Sequence, residues 1–368
     1  MLQVLPEGYE EVKETMYGEG TKRSKTKEND YYLEITSDTK NLTMGYYPIT
    51  RLPCIHPPNK KFTTTYQYEI RKSSKKTCNF NQTNTKAFRI YKKKLSPTTY
   101  TFHLGDCLEK LKQTPDKSVN IVITSPPYNI GLKYHKYSDK KPRDQYLGWI
   151  RDIFVELKRI LTDDGHIFLN MGYTNRDPWI AMEVALTLKD ILVLQNNITW
   201  VKSISVPSEK DKTSVVTHGH FKPINSKRYI NVTNENIYHF TKTDDILIDR
   251  LSVGVPYKWK CNLKNRKTGK IKPDIRCKGN TWFIPYETIQ NKKEKGYHPA
   301  TFPEGLVEHC IRISGIKKGT VLDPFIGSGT TVRVAKKLTD TNEDYSLSGI
   351  GIDVDETYIE YCNETLHV

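Results

Sequence analysis

The sequence lacks the features that anchor or export a chain. It has no apolar run long enough to cross a bilayer, and its mean hydropathy is -0.63. The first residues, MLQVLPEGYEEVKE, have neither the basic start nor the apolar middle of a secretory signal. We therefore expect an intracellular protein, in the cytoplasm if the host is a bacterium, with the nucleus open for a eukaryotic or viral host.

The sequence also lacks cysteines in the spacings typical of disulfide frameworks or zinc sites. The seven cysteines are odd in number and scattered, with no CxxC pair and no histidines at zinc-ligand spacing. The sequence therefore predicts neither disulfides nor a metal site.

Acidic residues are too few to balance the basic ones. The chain has 57 Lys and Arg against 42 Asp and Glu, for a net charge of +15. Such a charge attracts polyanions, so a nucleic acid is a candidate partner. Charge alone does not decide this, because solvated lysine faces are common in unrelated proteins.

Residues 1–98 show little sustained apolar periodicity. They are rich in Lys, Thr, Asn and Tyr, and only short stretches such as TTTYQYEI and KAFRIYKKK have β character. We interpret this part as a basic N-terminal extension of unknown role that packs loosely or is partly disordered. The alternative is that its Tyr and Lys side chains contact the phosphates and bases of DNA.

From residue 99 onward, strand and helix patterns alternate, which predicts an α/β fold. Strands are predicted at TYTFHLGD, VNIVIT, GHIFLNMGY, TVLDPF and SGIGIDVD, and helices at CLEKLKQTP, YLGWIRDIFVELKRIL, PEGLVEHCIRISG, TTVRVAKKLT and ETYIEYCNETL. NNITWVK and NIYHFTK predict a hairpin at the far edge of the sheet, separated by a long loop at 203–234.

The motif DPFIGSGTT, residues 323–331, lies between an apolar strand and a helix. Gly327 and Gly329 permit a tight turn and let a ligand approach the backbone. Asp353 ends the next strand, where a carboxylate can accept both hydroxyls of a ribose. A tight connection without a ligand is the plainer interpretation. The spacing is not GxGxxG, which makes an NAD-dependent dehydrogenase the weakest alternative.

The motif TSPPYNIG, residues 124–131, ends another strand. Its two prolines remove backbone donors and stiffen the chain at the carboxyl edge of the sheet, where ligands bind. A simple proline-rich turn would explain the prolines alone. It would not explain their place beside a nucleotide-type turn in the same sheet.

Together, the two motifs resemble those of the amino-methyltransferase family of DNA methyltransferases, and their order resembles that of its beta subgroup. The resemblance covers residues 99–368. It implies a Rossmann-like S-adenosylmethionine-dependent methyltransferase fold: a seven-stranded mixed sheet with helices on both faces, circularly permuted so that TFHLGD pairs beside SGIGIDVD. Residues 99–242 would be the catalytic half, 243–297 an inserted target-recognition region and 298–368 the cofactor-binding half.

The resemblance also assigns roles to residues. The family's cofactor is S-adenosyl-L-methionine. In this chain it would bind through DPFIGSGTT and through HPATFP and LGDCLEKL, which resemble segments of the family's cofactor pocket. The resemblance implies no metal. The residues that it implies for the cofactor are Asp106, Pro299, Thr301, Phe302, Asp323, Pro324, Phe325, Gly327, Ser328, Gly329, Thr330 and Asp353. The residues that it implies for catalysis are Ser125, Pro126, Pro127 and Tyr128.

These residue types suit methylation of an exocyclic amino group on a base. Such a nitrogen is a poor nucleophile because its lone pair is delocalised into the ring. The Ser125 hydroxyl and the Pro126 carbonyl can accept its hydrogens and aim the lone pair at a methyl group. Tyr128 offers a ring on which an extruded base can stack.

The target base and the substrate class remain open at this point. Ser at the first motif position is commoner in N4-cytosine enzymes and Asp in N6-adenine enzymes, so we expect cytosine N4, with adenine N6 as the alternative. An RNA or protein methyltransferase of the same fold and a catalytically silent DNA-binding protein are further alternatives. The expected partner is DNA. A cognate restriction endonuclease and a homodimer are left open.

Overall fold

The computed structural model describes residues 98–132, 134, 136–208, 214–219, 224–264, 269, 271–285 and 302–366, with six short strands before residue 98. The chain divides into two units, residues 1–97 and 98–368. Within these described parts, no helix combines the length and the apolar character that crossing a membrane requires.

The described part of residues 1–97 is an antiparallel sheet. Its strands are β1 (Tyr9–Glu11), β2 (Tyr31–Ile35), β3 (Gly45–Arg51), β4 (Gln67–Arg71), β5 (Thr77–Asn81) and β6 (Phe88–Lys93), in the order β1-β6-β2-β3-β4-β5. Tyr32, Leu33 and Tyr47 are buried in it.

This sheet goes beyond the two β-like stretches that the sequence indicated. The first stretch covers all of β4 but Arg71, and the second contains β6. The other strands were missed because a strand of three to seven residues, apolar on one face only, carries too few positions for an alternation to stand out.

The second unit is a mixed eight-stranded sheet. Its strands are β7 (Tyr100–Leu104), β8 (Val119–Thr124), β9 (Leu161–Met171), β10 (Val193–Val201), β13 (Asn234–Thr241), β14 (Thr281–Phe283), β15 (Lys318–Asp323) and β16 (Ser346–Asp353), in the order β14-β10-β13-β9-β8-β15-β16-β7. Its helices are α1 (Cys107–Gln113), α2 (Arg143–Ile160), α3 (Ile180–Thr187), α4 (Glu304–Ser314), α5 (Thr330–Thr341) and α6 (Glu356–Leu366).

The order of the strands confirms the predicted permutation. β7 pairs in parallel with β16, so the start of this unit lies beside its last strand. The five strands β7, β16, β15, β8 and β9 are parallel, and their carboxyl ends meet at one edge of the sheet. This edge is where an α/β sheet of this kind binds ligands.

The predicted count of seven strands is wrong by one. The predicted hairpin of β10 and β13 forms, but β14 pairs in parallel with β10 and takes the outer edge. Trp282, fully buried, is the side chain that fixes β14. A three-residue strand gives no periodicity, which is why the sequence did not reveal it.

Two further elements were also missed. Helix α3 is apolar over most of its length, so it shows little amphipathic period. The predicted loop at 203–234 contains an exposed antiparallel ribbon of β11 (Ile204–Pro207) and β12 (Val215–His218).

Both faces of the sheet are covered, as predicted. Strand β8 shows this, because Val122 packs into a cluster with α1, α2 and α3, while Ile121 and Ile123 pack into another with α4 and α5. Successive side chains of a strand point to opposite faces. A rigid layer on each side therefore supports the ligand-binding edge.

Candidate active site

A cavity of about 280 Å³ opens at the carboxyl edge of the parallel strands. All four residues of the SPPY motif line it. The predicted cofactor residues that line it are Asp106, Phe302, Asp323, Pro324, Phe325, Gly327, Ser328, Thr330 and Asp353. The two motifs, about 200 positions apart in the chain, thus border one space.

Three predicted cofactor residues are not seen in the lining. Gly329 caps the start of α5 with φ of +80°, and a Cβ there would lie 2.8 Å from the sulfur of Cys362. It therefore shapes the turn from behind the cavity. Pro299 and Thr301 fall outside the residues that the structure describes.

Asp323 joins the two motifs at the base of the cavity. It is 1% exposed. The Thr124 hydroxyl donates to one carboxylate oxygen at 2.9 Å, and the Thr331 hydroxyl donates to the other at 2.8 Å. Burial raises the pKa of Asp323 to about 6, against the opposing effect of these hydrogen bonds.

Asp353 closes the glycine turn from the neighbouring strand. The backbone N–H of Gly327, at φ of +48°, donates to its Oδ2 at 3.0 Å, and the N–H of Asp355 donates to its Oδ1 at 3.0 Å. Burial raises the pKa of this carboxyl group. Each carboxylate oxygen has a second lone pair, so Asp353 can still accept hydrogen bonds from a ligand.

An aromatic wall faces the glycine turn. Trp149 stacks on Tyr137 with ring centroids 5.6 Å apart and meets Phe325 edge-on at 5.6 Å. The Tyr137 hydroxyl is buried and has no hydrogen-bond partner among the described residues. Lys141 lies over Trp149, with its Nζ 4.4 Å from the ring centroid.

A polar loop holds this wall in place. The Asp139 carboxylate, 2% exposed, accepts hydrogen bonds from the N–H groups of Asn129, Ile130 and Leu132. Tyr137 and Trp149 were not predicted from the sequence. Trp149 lies within the predicted amphipathic helix, where a tryptophan is equally consistent with packing in the hydrophobic core.

The SPPY turn is held by contacts from helix α2 and from strands β9 and β13. The Tyr146 hydroxyl donates to the Pro127 carbonyl at 2.7 Å. Ser125 Oγ lies 2.9 Å from the Tyr128 hydroxyl, which donates to Glu235 at 3.0 Å and accepts from Asn170 at 2.8 Å. Burial, followed by the charge of Glu235, raises the pKa of Tyr128 well above its usual value, so its hydroxyl stays protonated.

One edge of the Tyr128 ring also lies close to the backbone that follows β9. Gly172 directly follows β9, and a Cβ at this position would lie 2.6 Å from the ring. Asn170 and Glu235 were missed by our sequence analysis. Asn170 reaches the motif because β9 pairs with β8, and Glu235 reaches it because β13 pairs with β9.

The lining fits an adenosine-bearing cation. Carboxylates from Asp106, Asp323 and Asp353 face a wall that contains Tyr137, Trp149 and Phe325. Carboxylates accept ribose and amino hydrogens and attract a positive sulfonium, and aromatic faces suit an adenine ring. The unpartnered Tyr137 hydroxyl offers a further polar contact. These carboxylate acceptors and aromatic rings thus suit a nucleotide-type cofactor.

A sequence profile of the family described as DNA methylase, of the N6 and N4 type, matches residues 119–364. The chain belongs to this family of DNA amino-methyltransferases. Its cofactor is S-adenosyl-L-methionine, as the family resemblance implied.

Curated relatives agree with this membership. The chain is 30% identical to type II methyltransferase M.BglII of Bacillus subtilis over 64% of this chain and 61% of that protein. It is 30% identical to type II methyltransferase M.ScaI of Streptomyces caespitosus, over 70% of this chain and 77% of that protein. It is 26% identical to the DNA adenine methyltransferase YhdJ of Escherichia coli K12, over 70% and 79%.

Among solved structures, the fold is similar to that of PvuII DNA methyltransferase, described as cytosine-N4-specific. The TM-score is 0.50, and the match covers 73% of this chain and 86% of that one at 22% identity. This likeness supports the methyltransferase fold.

Proposed function

We propose that the chain transfers a methyl group from S-adenosyl-L-methionine to the exocyclic N4 of a cytosine turned out of duplex DNA. The observation that carries the proposal is the shared cavity, in which Ser125 and Asp353 line the same space. Family membership supports a DNA substrate, and the net charge of +15 favours a polyanion.

The protein would act mainly by placement. When bound, the cofactor supplies an electrophilic methyl group on a sulfonium. Ser125 Oγ and the Pro126 carbonyl would accept the two amino hydrogens of the base, so that the nitrogen lone pair points at that methyl group. The Tyr128 ring, held against Gly172, would give the base a surface for stacking.

The chain's own residues would also hold the cofactor. Asp353 would accept the ribose hydroxyls, which its remaining lone pairs allow. Phe325 and Trp149 would border the adenine, and Asp106 would face it from the end of β7. Asp106 also caps α1 by accepting from the N–H groups of Leu108 and Glu109, so its position is rigid.

Cytosine is favoured over adenine by Ser125. A serine hydroxyl can serve either amino group, so the preference rests on the motif resemblance. The relatives include proteins described for each base, cytosine for PvuII methyltransferase and adenine for YhdJ. Adenine N6 is therefore the second candidate.

The test is a product analysis. Purified chain and labelled S-adenosylmethionine are incubated with unmethylated genomic DNA, and the DNA is digested to nucleosides for mass spectrometry. We expect N4-methylcytosine. N6-methyladenine alone would make adenine the target, whereas label only in a parallel RNA sample would replace DNA as the substrate. Cofactor binding in calorimetry without any product would support the silent DNA-binding alternative.

A further inference from the structure

A hydrogen-bonded chain runs from the SPPY turn to the start of β13. Glu235 receives three donors: Lys202 Nζ at 2.7 Å, the Tyr128 hydroxyl at 3.0 Å and Asn170 Nδ2 at 2.8 Å. Its side chain is 14% exposed. Because all three neighbours can donate, Glu235 is set up as an acceptor on both of its oxygens.

This arrangement fixes the direction of each hydrogen bond. The Tyr128 hydroxyl has one proton and donates it in a hydrogen bond to Glu235, since two acceptor oxygens 3.0 Å apart would otherwise repel. Asn170 Nδ2 fills one lone pair of the Tyr128 oxygen. Ser125 Oγ lies 2.9 Å from the same oxygen and can only donate to it.

A serine oxygen that donates its proton in one direction keeps its lone pairs for another. The target amino group approaches Ser125 with hydrogens, not lone pairs, so a serine proton pointing at it would oppose binding. The direction of the Ser125 hydroxyl therefore matters to the reaction.

We propose that Glu235 is a positioning residue for methyl transfer: through Tyr128 it holds the Ser125 proton away from the base, so that Ser125 Oγ presents its lone pairs to the target amino group. This inference rests on the proposed function of the SPPY motif. Glu235 itself touches neither the base nor the cofactor in this scheme.

The substitution Glu235→Gln tests the direction of the chain. A glutamine amide can donate to Tyr128 Oη, which would turn the Tyr128 proton toward Ser125 and the Ser125 proton toward the base. We expect kcat on DNA to fall about tenfold or more, with the KM for cofactor unchanged. Glu308→Gln is the control, because it also removes an acidic partner of a cation, Arg312 at 2.7 Å, on the surface of α4.

The combination with Tyr128→Phe separates positioning from general stability. If Glu235 acts through the Tyr128 hydroxyl, E235Q in the Y128F background changes kcat by no more than about twofold. A purely structural role would give the same fold loss in both backgrounds, together with a lower unfolding temperature. That result, or a kcat of E235Q within about twofold of the parent, would overturn the inference.

Neutron diffraction on deuterated crystals of the full chain gives a readout that needs no methylation. We expect the Ser125 deuterium to lie between Ser125 Oγ and Tyr128 Oη, and the Tyr128 deuterium to point at Glu235. A Ser125 deuterium directed into the cavity overturns the inference. If the deuterium positions are as expected while the parent methylates no DNA, the proposed function fails and the hydrogen-bond assignment stands.

Discussion

The hydroxyl of Thr124 donates a 2.9 Å hydrogen bond to the carboxylate of Asp323. Thr124 is the last residue of β8, directly before Ser125, and Asp323 is the last residue of β15, directly before the glycine turn. One buried contact thus sets the spacing between the base side and the cofactor side of the cavity. A shift at either strand end would move the two sides relative to each other.

Asp323→Asn should separate stability from cofactor binding. Burial raises the pKa of Asp323 to about 6, so its charge at neutral pH costs free energy of folding. We expect the free energy of unfolding at pH 7 to be unchanged or to rise by roughly 1–3 kcal/mol. Cofactor affinity should fall, because a negative charge near the cation is lost. Chemical denaturation and calorimetry measure the two quantities, and weaker folding with intact cofactor affinity would contradict this expectation.

Ser125→Ala should impair turnover alone. The proposed acceptor for an amino hydrogen is removed, and we expect kcat to fall by about a hundredfold or more while the cofactor Kd is unchanged. Methyl incorporation and calorimetry are the measurements. Ser118→Ala is the control, since this hydroxyl donates to the Pro115 carbonyl before β8 begins. Normal turnover of the Ser125 variant would remove the proposed mechanism.

Asp353→Ala should impair cofactor binding first. The substitution removes the proposed acceptor of the ribose hydroxyls and leaves the N–H of Gly327 without its partner. We expect the cofactor Kd to rise about tenfold to hundredfold. Asp344→Ala, which breaks a surface ion pair with Lys317, should leave it unchanged. Equal cofactor affinity in both variants would remove Asp353 from the cofactor site.

Trp259→Ala should weaken DNA binding. Trp259 is 67% exposed within the segment predicted to recognise the target, and Lys258 lies beside its ring. Loss of a stacking surface would raise the Kd for DNA about tenfold. Trp179, 63% exposed before α3, is a matched control in which alanine should change little. If both alanine variants bind DNA alike in a titration at fixed salt, residues 243–297 lose their proposed role.

Acid should destabilise the second unit through a buried histidine pair. His166 Nδ1 and His239 Nε2 are 2.9 Å apart, and burial lowers the pKa of His166 to about 4 and that of His239 to about 3. Between about pH 6.5 and pH 4 the unfolded chain binds protons that the folded chain excludes. The free energy of unfolding should therefore fall as the pH is lowered, by roughly 1.4 kcal/mol per pH unit for each histidine.

Asp323 acts in the opposite direction over part of this range. Its raised pKa means that the folded chain holds a proton that the unfolded chain has released between about pH 4 and pH 6. Asp353, whose pKa burial also raises, acts in the same direction as Asp323, but burial lowers the pKa of a third histidine, His309, as well, so stability still falls in acid. In the double variant His166→Leu and His239→Leu, denaturant titrations should show this fall reduced. An unchanged fall would assign the acid sensitivity to other groups.

The parts of the site that the sequence predicted are local. DPFIGSGTT and TSPPYNIG each lie in one turn, so neighbouring letters carry both the backbone shape and the chemistry. Glu235 and Asn170 could not be found in this way, because Asn170 reaches Tyr128 through the pairing of β9 with β8, and Glu235 through the pairing of β13 with β9. Their contacts depend on register, which a single sequence states only weakly.

The strands of the fold differ in the same way: those with a local sequence pattern were predicted, and those that depend on pairing were not. A buried parallel strand such as VNIVIT is recognisable by its continuous run of apolar residues. All five parallel strands of the sheet were predicted. Strand β14 and most of the N-terminal sheet were not, since their order comes from pairing with partners distant in sequence. Trp282, which fixes β14, reads in the sequence as one aromatic residue in a basic stretch.

The placement of β14 has a consequence for the segment that we predict to recognise the target. The segment from 242 to 280 leaves the sheet at the end of β13 and returns two strands away at β14, so it starts and finishes on the same scaffold. Its length and composition do not enter the pairing of the five parallel strands that carry the chemistry. Such an insertion can be exchanged or lengthened by evolution as a cassette, while the methyl-transfer machinery is inherited intact.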